Sequence, residues 1–277
     1  MTSIPDITLN NGQTIPQFGF GTFKVSPADT VDAVSTALAA GYRHVDTAQM
    51  YGNEREVGQA IAKSGIDRGD IFLTTKLNNG VHLPDDARRA FAGSLEALGS
   101  DYVDLFLIHW PLPARYGGDF VSTWRTLEEF YRDGRARSIG VSNFQPHHLR
   151  RLHQDCEIPP AVDQVEMHPY LTNDEVRAFC AEHQIAIEAW SPIARGRVLN
   201  DPEVITVARR AAKSPAQVVL RWHIERGDIV FPKSVSPERI RENIDIFDFQ
   251  LSSQEIETIS ALNKNMRTGP DPDTFNG

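Results

Sequence analysis

Short apolar runs alternate with longer helix-like segments along nearly the whole chain. Runs near Phe18–Gly21, His44–Thr47, Ile71–Thr75, Leu105–His109, Ser138–Ser142, Val162–Glu166, Ala186–Trp190 and Ile229–Pro232 read as strands. Most are nearly continuous in apolar residues, as expected for parallel strands covered on both faces. The segments between them carry helix signals. Asp29 to Ala40 is alanine-rich and stops at Gly41, and Asp85 to Leu98 stops in the same way at Gly99. Ser214-Pro215 supplies a capping residue and a first-turn proline for a further helix. Eight strands alternating with helices predict an α/β fold, a (β/α)8 barrel. A doubly wound open sheet ranks second, because no Gly-x-Gly-x-x-Gly follows an early strand. The opening Ile7 to Ile15 reads as a short β-hairpin with Asn11-Gly12 at its turn. No linker, repeat or low-complexity tract divides the chain, so one domain spanning 1–277 is expected, with the tail Arg267 to Gly277 lying across its surface.

Three of these runs lead into reactive residues. Asp46 and Tyr51 come at the end of the second run, Lys76 at the end of the third and His109 at the end of the fourth. Corresponding strand ends share one rim of a parallel barrel, so these four side chains are expected in one pocket. Such a group suits proton delivery to a carbonyl. Tyr51 can be the acid, although an unperturbed phenol has a pKa of about 10. A nearby Lys76 ammonium would stabilise phenolate and lower that value. Asp46 can hold the lysine, and His109 can orient the carbonyl oxygen or assist proton delivery. Singly, each has a plainer reading: an ion pair, a packed aromatic, a satisfied core histidine. Their shared rim favours the joint reading.

A second cluster follows the last run, Lys233-Ser234-Val235 and then Arg239, Glu242 and Asn243 at the start of a helix. Basic side chains beside a helix N-terminus suit a phosphate, and Lys233, Ser234 and Arg239 could clamp an adenosine 2′-phosphate. Glu242 and Asn243 could reach the adenine edge. Ser142, Asn143 and Gln164 offer hydrogen bonds for a carboxamide, Trp190 a flat face for nicotinamide, and Ser191 a contact to pyrophosphate. Gly21 and Thr22, Val235 beside the clamp, and the groups above make up the expected cofactor contacts. Phe23, Gln49 and Trp110 are the expected pocket wall.

Bulk properties narrow the classes. Among 277 residues the formal net charge is −9, which argues against nonspecific nucleic-acid binding. Two cysteines, Cys156 and Cys180, make a disulfide framework an unfavoured reading and a reducing, cytoplasmic setting the expected one. No apolar run approaches the roughly 20 residues needed to span a bilayer. His147, His148 and His153 hint at a metal, but neighbours on a helix diverge and no acidic ligand completes the set, so none is expected. No Gly-x-Ser-x-Gly elbow is present.

The motifs Gly41-Tyr-Arg-His-Val-Asp46-Thr-Ala with Tyr51, Thr-Thr-Lys76, Leu-Ile-His109-Trp-Pro, Ile139-Gly-Val-Ser142-Asn143-Phe, Gln164-Val-Glu-Met-His-Pro and Phe-Pro-Lys233-Ser234 are together highly specific. By them the chain resembles the aldo-keto reductases, especially bacterial members similar to 2,5-diketo-D-gluconate reductases, from the hairpin to the final helix. The resemblance implies a monomeric barrel using NADPH, with Asp46, Tyr51, Lys76 and His109 as catalytic tetrad, Tyr51 as proton donor and cofactor binding before substrate. Substrates would be small aldehydes, ketones, diketones or keto-sugars. The alternative is a noncatalytic NADPH-binding or redox-sensing barrel. One departure bears on specificity: many relatives have Leu-Trp-Asn after the lysine, whereas this chain has Leu77-Asn78-Asn79, a smaller and more polar wall.

Overall fold

The structure is a computed structural model and describes residues 4–277. Its chain opens with a hairpin, β1 (Asp6–Thr8) and β2 (Thr14–Pro16), paired antiparallel with Ile7 opposite Ile15. The connection is longer than a two-residue turn. It runs over residues 9–13, with the Leu9 amide donating to the Gln13 carbonyl at 2.8 Å and Gly12 in the left-handed region at φ 84°. Leu9 and Ile15 pack with Phe72, Leu105, Leu107, Val162 and Ile229, so the hairpin plugs one end of the main sheet.

Eight strands build that sheet: β3 (Phe20–Gly21), β4 (His44–Asp46), β5 (Phe72–Leu77), β6 (Leu105–Ile108), β7 (Ile139–Ser142), β8 (Val162–Glu166), β9 (Ala186–Trp190) and β10 (Ile229–Val230). Each pairs parallel with its sequence neighbour. A Phe18–Val230 bridge joins the two ends, with Gly19 donating to the Val230 carbonyl at 2.7 Å and Val230 to the Gln17 carbonyl at 3.0 Å. The sheet is thereby a (β/α)8 barrel, as the alternating pattern predicts. The strands fall within two residues of their expected bounds at every edge. β3 and β10, however, are only two residues long, because the pairing at the closure is brief.

The helices are α1 (Pro27–Ala39), α2 (Glu54–Lys63), α3 (Pro84–Leu98), α4 (Phe120–Arg132), α5 (Pro146–Asp155), α6 (Asp174–Glu182), α7 (Pro202–Ala211), α8 (Pro215–Glu225), α9 (Pro237–Ile244) and α10 (Ser253–Ser260). Local chemistry sets their ends. Ser214 caps α8 and exchanges hydrogen bonds with Gln217 in a capping box. Gly99, at φ 62°, ends α3. Outward-facing strand residues such as Phe106 and Ile139 meet Phe91, Leu127 and Phe130 of the helical ring. α7 and α10, which the strand–helix alternation does not predict, flank α8 in a satellite cluster around Tyr170 and Trp222. No helix among the described residues is long and apolar enough to cross a membrane.

The barrel interior departs from continuous apolarity. His44 and Asp46 of β4, Thr74 and Lys76 of β5, Gln164 of β8 and Glu188 of β9 are all buried, two residues apart where they share a strand. Alternation sends these side chains inward, while Val45, Leu73, Val165, Ile187 and Ala189 join the outer core. The barrel is therefore apolar at its plugged end and polar toward the opposite rim.

Candidate active site

Each of the four reactive side chains owes its position to a strand end. Asp46 ends β4 and Lys76 projects from β5. His109 follows β6, and Tyr51 closes a 3-10 turn over Gln49–Tyr51 that stops at Gly52, φ 67°. Lys76 is fully buried. Its Nζ donates to Asp46 Oδ1 at 2.6 Å, Asp46 Oδ2 at 2.8 Å, the Thr47 carbonyl at 2.8 Å and the Tyr51 hydroxyl at 3.4 Å. Burial alone would lower the Lys76 pKa, but the Asp46 charge and hydrogen bond outweigh it and hold the ammonium above its usual range. The Tyr51 and His109 rings meet edge to face at 5.8 Å. Burial, with the Lys76 and His82 charges added, pushes the His109 imidazole well below its ordinary pKa, so it is neutral. For Tyr51 the sequence suggests a lowered pKa. Burial instead dominates and raises it to about 12, with Lys76 only opposing the shift. The phenol thus keeps its proton near neutral pH.

One hydrogen-bonded strip continues from His109 around the rim. Asn143, at φ 66°, donates from Nδ2 to the His109 carbonyl at 2.9 Å and accepts at Oδ1 from Trp190 Nε1 at 2.9 Å. Ser142 donates to the Gln164 carbonyl at 2.8 Å. Gln164 spends both amide hydrogens, on Asp46 Oδ2 at 2.9 Å and Glu188 Oε2 at 2.7 Å, which leaves its side-chain oxygen to meet a carboxamide. Trp190 and Ser191 are half-buried beside this strip, with Ser191 at φ 51°.

The second cluster lies at the barrel's closure. Lys233, Val235 and Arg239 are exposed, and neither Lys233 nor Arg239 forms an ion pair with another described residue. Ser236 caps α9, accepting from the Arg239 amide at 3.4 Å, and Ser234 accepts from the Ser236 amide at 3.1 Å. Glu242 and Asn243 sit one turn on. Two uncommitted cations at a helix start, a half-buried indole and an uncommitted amide oxygen fit a phosphorylated nicotinamide dinucleotide. At Gly21 a Cβ would stand 2.6 Å from the Phe231 carbonyl oxygen, so glycine is required for β3 to approach the chain after β10. Thr22 has its hydroxyl turned onto the Asp46 carbonyl at 3.1 Å and is fully buried.

The expected pocket wall divides. Phe23 is exposed, its ring 5.0 Å from Tyr51, and Trp110 packs at 4.4 Å against Phe275 of the tail. Gln49 is committed elsewhere: Nε2 donates to Ser94 at 2.9 Å and Oε1 accepts from the Asn78 amide at 2.7 Å. The tail does lie across the surface, and specifically across this rim. Glu166 accepts from the Thr268 amide at 2.6 Å and the Gly269 amide at 3.1 Å, and Asn276 accepts from the Ala114 amide at 2.7 Å. A Cβ on Gly269 would fall 2.4 Å from Trp190, so only glycine lets the tail pass there.

Three contributors escape a reading of the sequence: Glu166, Glu188 and Asn53. Asn53 donates to the Thr22 and Val25 carbonyls, both at 3.1 Å, and accepts from Thr47, fixing the loop that carries Phe23. A charged residue inside an otherwise apolar run is the available signal for Glu188, whereas Glu166 shares its run with Asp163 and Gln164 and does not stand out. The tail also corrects the metal argument. His147 and His148 do converge, with ring centroids 3.9 Å apart, and Asp273 supplies the missing carboxylate 3.4 Å from His147. His148 Nδ1 accepts from the Gln145 amide, so in the neutral ring Nε2 carries the hydrogen and presents a donor, not a lone pair, toward Asp273.

Comparison with known proteins agrees with this architecture. The family model described as Aldo/keto reductase family matches residues 17–264. An aldo-keto reductase of Mycolicibacterium smegmatis is 52% identical over 272 residues, 98% of each chain. A glyoxal reductase of Bacillus subtilis is 46% identical over 274 residues, again 98% of each. A Bombyx mori aldo-keto reductase solved in complex with NADP superposes with a TM-score of 0.90 at 39% identity, covering 96% of this chain and 95% of its own.

Proposed function

This chain belongs to the aldo/keto reductase family, and from that premise we propose that it uses NADPH to reduce small aldehydes, ketones, diketones or keto-sugars to alcohols, with Tyr51 as proton donor. The observation carrying the reading is the Lys76 ammonium held between the Asp46 carboxylate at 2.6 Å and the Tyr51 hydroxyl at 3.4 Å. Bound NADPH would supply the hydride that no side chain can. Trp190 would stack the nicotinamide, Ser142, Asn143 and Gln164 would orient its carboxamide, and Ser191 would meet the pyrophosphate. Lys233, Ser234 and Arg239 would hold the 2′-phosphate, with Glu242 and Asn243 toward the adenine.

A carbonyl oxygen docked between Tyr51 and His109 gains negative charge as its carbon is reduced. Neutral His109 has a ring hydrogen to offer that oxygen, and the protonated phenol completes the alcohol. The phenolate left behind faces Lys76, whose charge stabilises it at the moment it forms. Phe23 and Trp110 wall the pocket, which suits compact carbonyl compounds. The glyoxal reductase relative supports including small dicarbonyls.

The test is NADPH absorbance loss over a carbonyl panel containing methylglyoxal, aromatic aldehydes and 2,5-diketo-D-gluconate. Tyr51→Phe should depress kcat by roughly a hundredfold or more while NADPH still quenches tryptophan fluorescence. Near-normal turnover in that variant would remove Tyr51 as the acid.

A further inference from the structure

Below Lys76 the barrel holds a second carboxyl group with no part in the steps above. Glu188 of β9 stands opposite Gln164 of β8 and is fully buried. The Gln164 amide nitrogen reaches Glu188 Oε2 at 2.7 Å and Asp46 Oδ2 at 2.9 Å, so one side chain ties both carboxyls together. Lys76 donates to Asp46, the Thr47 carbonyl and the Tyr51 hydroxyl, and not to Glu188. The remaining oxygen, Glu188 Oε1, has no hydrogen-bond partner and lies 3.7 Å from His44 Nε2.

The ring opposite shows which atom carries a hydrogen there. His44 Nδ1 lies 3.3 Å from the Pro16 carbonyl, which can only accept, so Nδ1 is the protonated nitrogen. His44 Nε2 then carries no hydrogen: the Thr74 hydroxyl stands 3.3 Å from it and Glu188 Oε1 3.7 Å, and it has nothing to donate to either. An ionised Glu188 would oppose lone pair to lone pair in a sealed interior. A neutral acid, its hydrogen on Oε1, does not. Around Glu188, His44 and Asp46 face it from β4, Lys76 from β5 and Gln164 from β8, with the Asp46 charge opposing its ionisation and Lys76 and Gln164 favouring it, while Phe20, Gly21, Ile229 and Val230 of β3 and β10 do not titrate. Burial holds the His44 imidazole down to about 3, so it adds no charge.

We propose that Glu188 is a positioning residue for the proton donor: as a neutral acid it holds Gln164, and through it Asp46 and Lys76, without adding charge, and on ionising it weakens Tyr51 as a donor. This rests on Tyr51 being the acid of the reaction. The charge balance gives the reason. With Glu188 neutral, Asp46 and Lys76 cancel, and proton transfer from Tyr51 to the nascent alkoxide leaves one net negative charge, on the phenolate. With Glu188 ionised the cluster begins one charge negative and ends two charges negative, in surroundings where little water screens the repulsion. Burial and the Asp46 charge raise the Glu188 pKa to about 8, which puts the change within reach of an ordinary pH series.

The experiment is a pH series of kcat at saturating NADPH for the native enzyme, Glu188→Gln and Tyr51→Phe, with NADPH affinity followed by fluorescence. Native kcat should fall about tenfold from neutral pH to about pH 9, with cofactor affinity steady. In Glu188→Gln, whose amide mimics the neutral acid and can donate to His44 Nε2, that fall should vanish. An identical fall in both enzymes would overturn the proposal. Loss of turnover in Tyr51→Phe together with that identical fall would remove the Glu188 role alone, whereas full turnover in Tyr51→Phe would remove the acid assignment first. Should Glu188→Gln fail to fold, infrared difference spectroscopy of the native protein decides, with Asp163→Asn as control for another buried acid whose pKa burial raises. A protonated-carboxyl band lost over the same interval supports the proposal, and its absence at neutral pH refutes it.

Discussion

Burial and charge pull the Tyr51 hydroxyl in opposite directions, and burial is the larger influence. The sequence shows which lysine could stand beside the phenol, but not how little water either would see. The residues of the rim were legible because strand ends in a parallel barrel share a face, so Asp46, Lys76 and His109 could be grouped from spacing alone. Gln49 was not legible in this way. Its position beside Tyr51 suggests a pocket residue, yet the chain folds so that Ser94 and the Asn78 amide take both ends of its side chain. At this scale the basic cluster gives the clearest prediction. Arg239 has no carboxylate partner among the described residues, so removing it should cost little but the ligand. Arg239→Ala should weaken NADPH binding roughly tenfold to a hundredfold and change NADH affinity less than about twofold. Fluorescence titration with both nucleotides checks this, and equal losses would place the 2′-phosphate elsewhere.

Strands and helices were readable to different depths. Runs buried on both faces announce themselves, and glycine and serine-proline signals mark the ends of α3 and α8. α7 and α10 fall outside the strand–helix alternation and bury their faces only against α8 and its neighbours, so nothing in the repeating pattern points to them. The prolines and glycines of the tail predict a path over the surface, but its anchor, Glu166, lies about a hundred residues away in sequence. Burial would raise the Glu166 carboxyl, yet His168, Thr268 and the Gly269 amide outweigh it and hold it below the usual range. Its contribution is therefore complete above the ordinary glutamate pKa of about 4.3 and is lost only as pH falls through the lowered value. Glu166→Gln removes the charge from those bonds. It should raise the KM for carbonyl substrates several-fold, by roughly the worth of one or two charge-assisted hydrogen bonds, and speed carboxypeptidase trimming of the tail. Unchanged trimming would show that Asn276 and Phe275 hold the tail without it.

As a whole, the molecule carries a net charge of −9 yet presents the exposed cations Lys233 and Arg239 on its rim, just after β10. That place coincides with the closure of the barrel. Most neighbouring strands pair over three to five residues and β7 with β8 over two, but the two ends of the sheet, at β3 and β10, meet through the single Phe18–Val230 bridge. A cylinder whose ends are joined by a single bridge opens there first. The amides of Gly19 and Val230 should accordingly exchange with deuterium faster than that of Val165 in the ligand-free protein, although all three residues are buried. A dinucleotide gripped by Lys233 and Arg239 would fasten the same bridge from outside. Saturating NADPH should slow exchange at Gly19 and Val230 by more than at Val165, and a uniform slowing would show that the closure is no looser than the rest. The enzyme's resistance to unfolding would then vary with the cell's supply of its reductant, an otherwise identical protein lasting longer where that supply is rich.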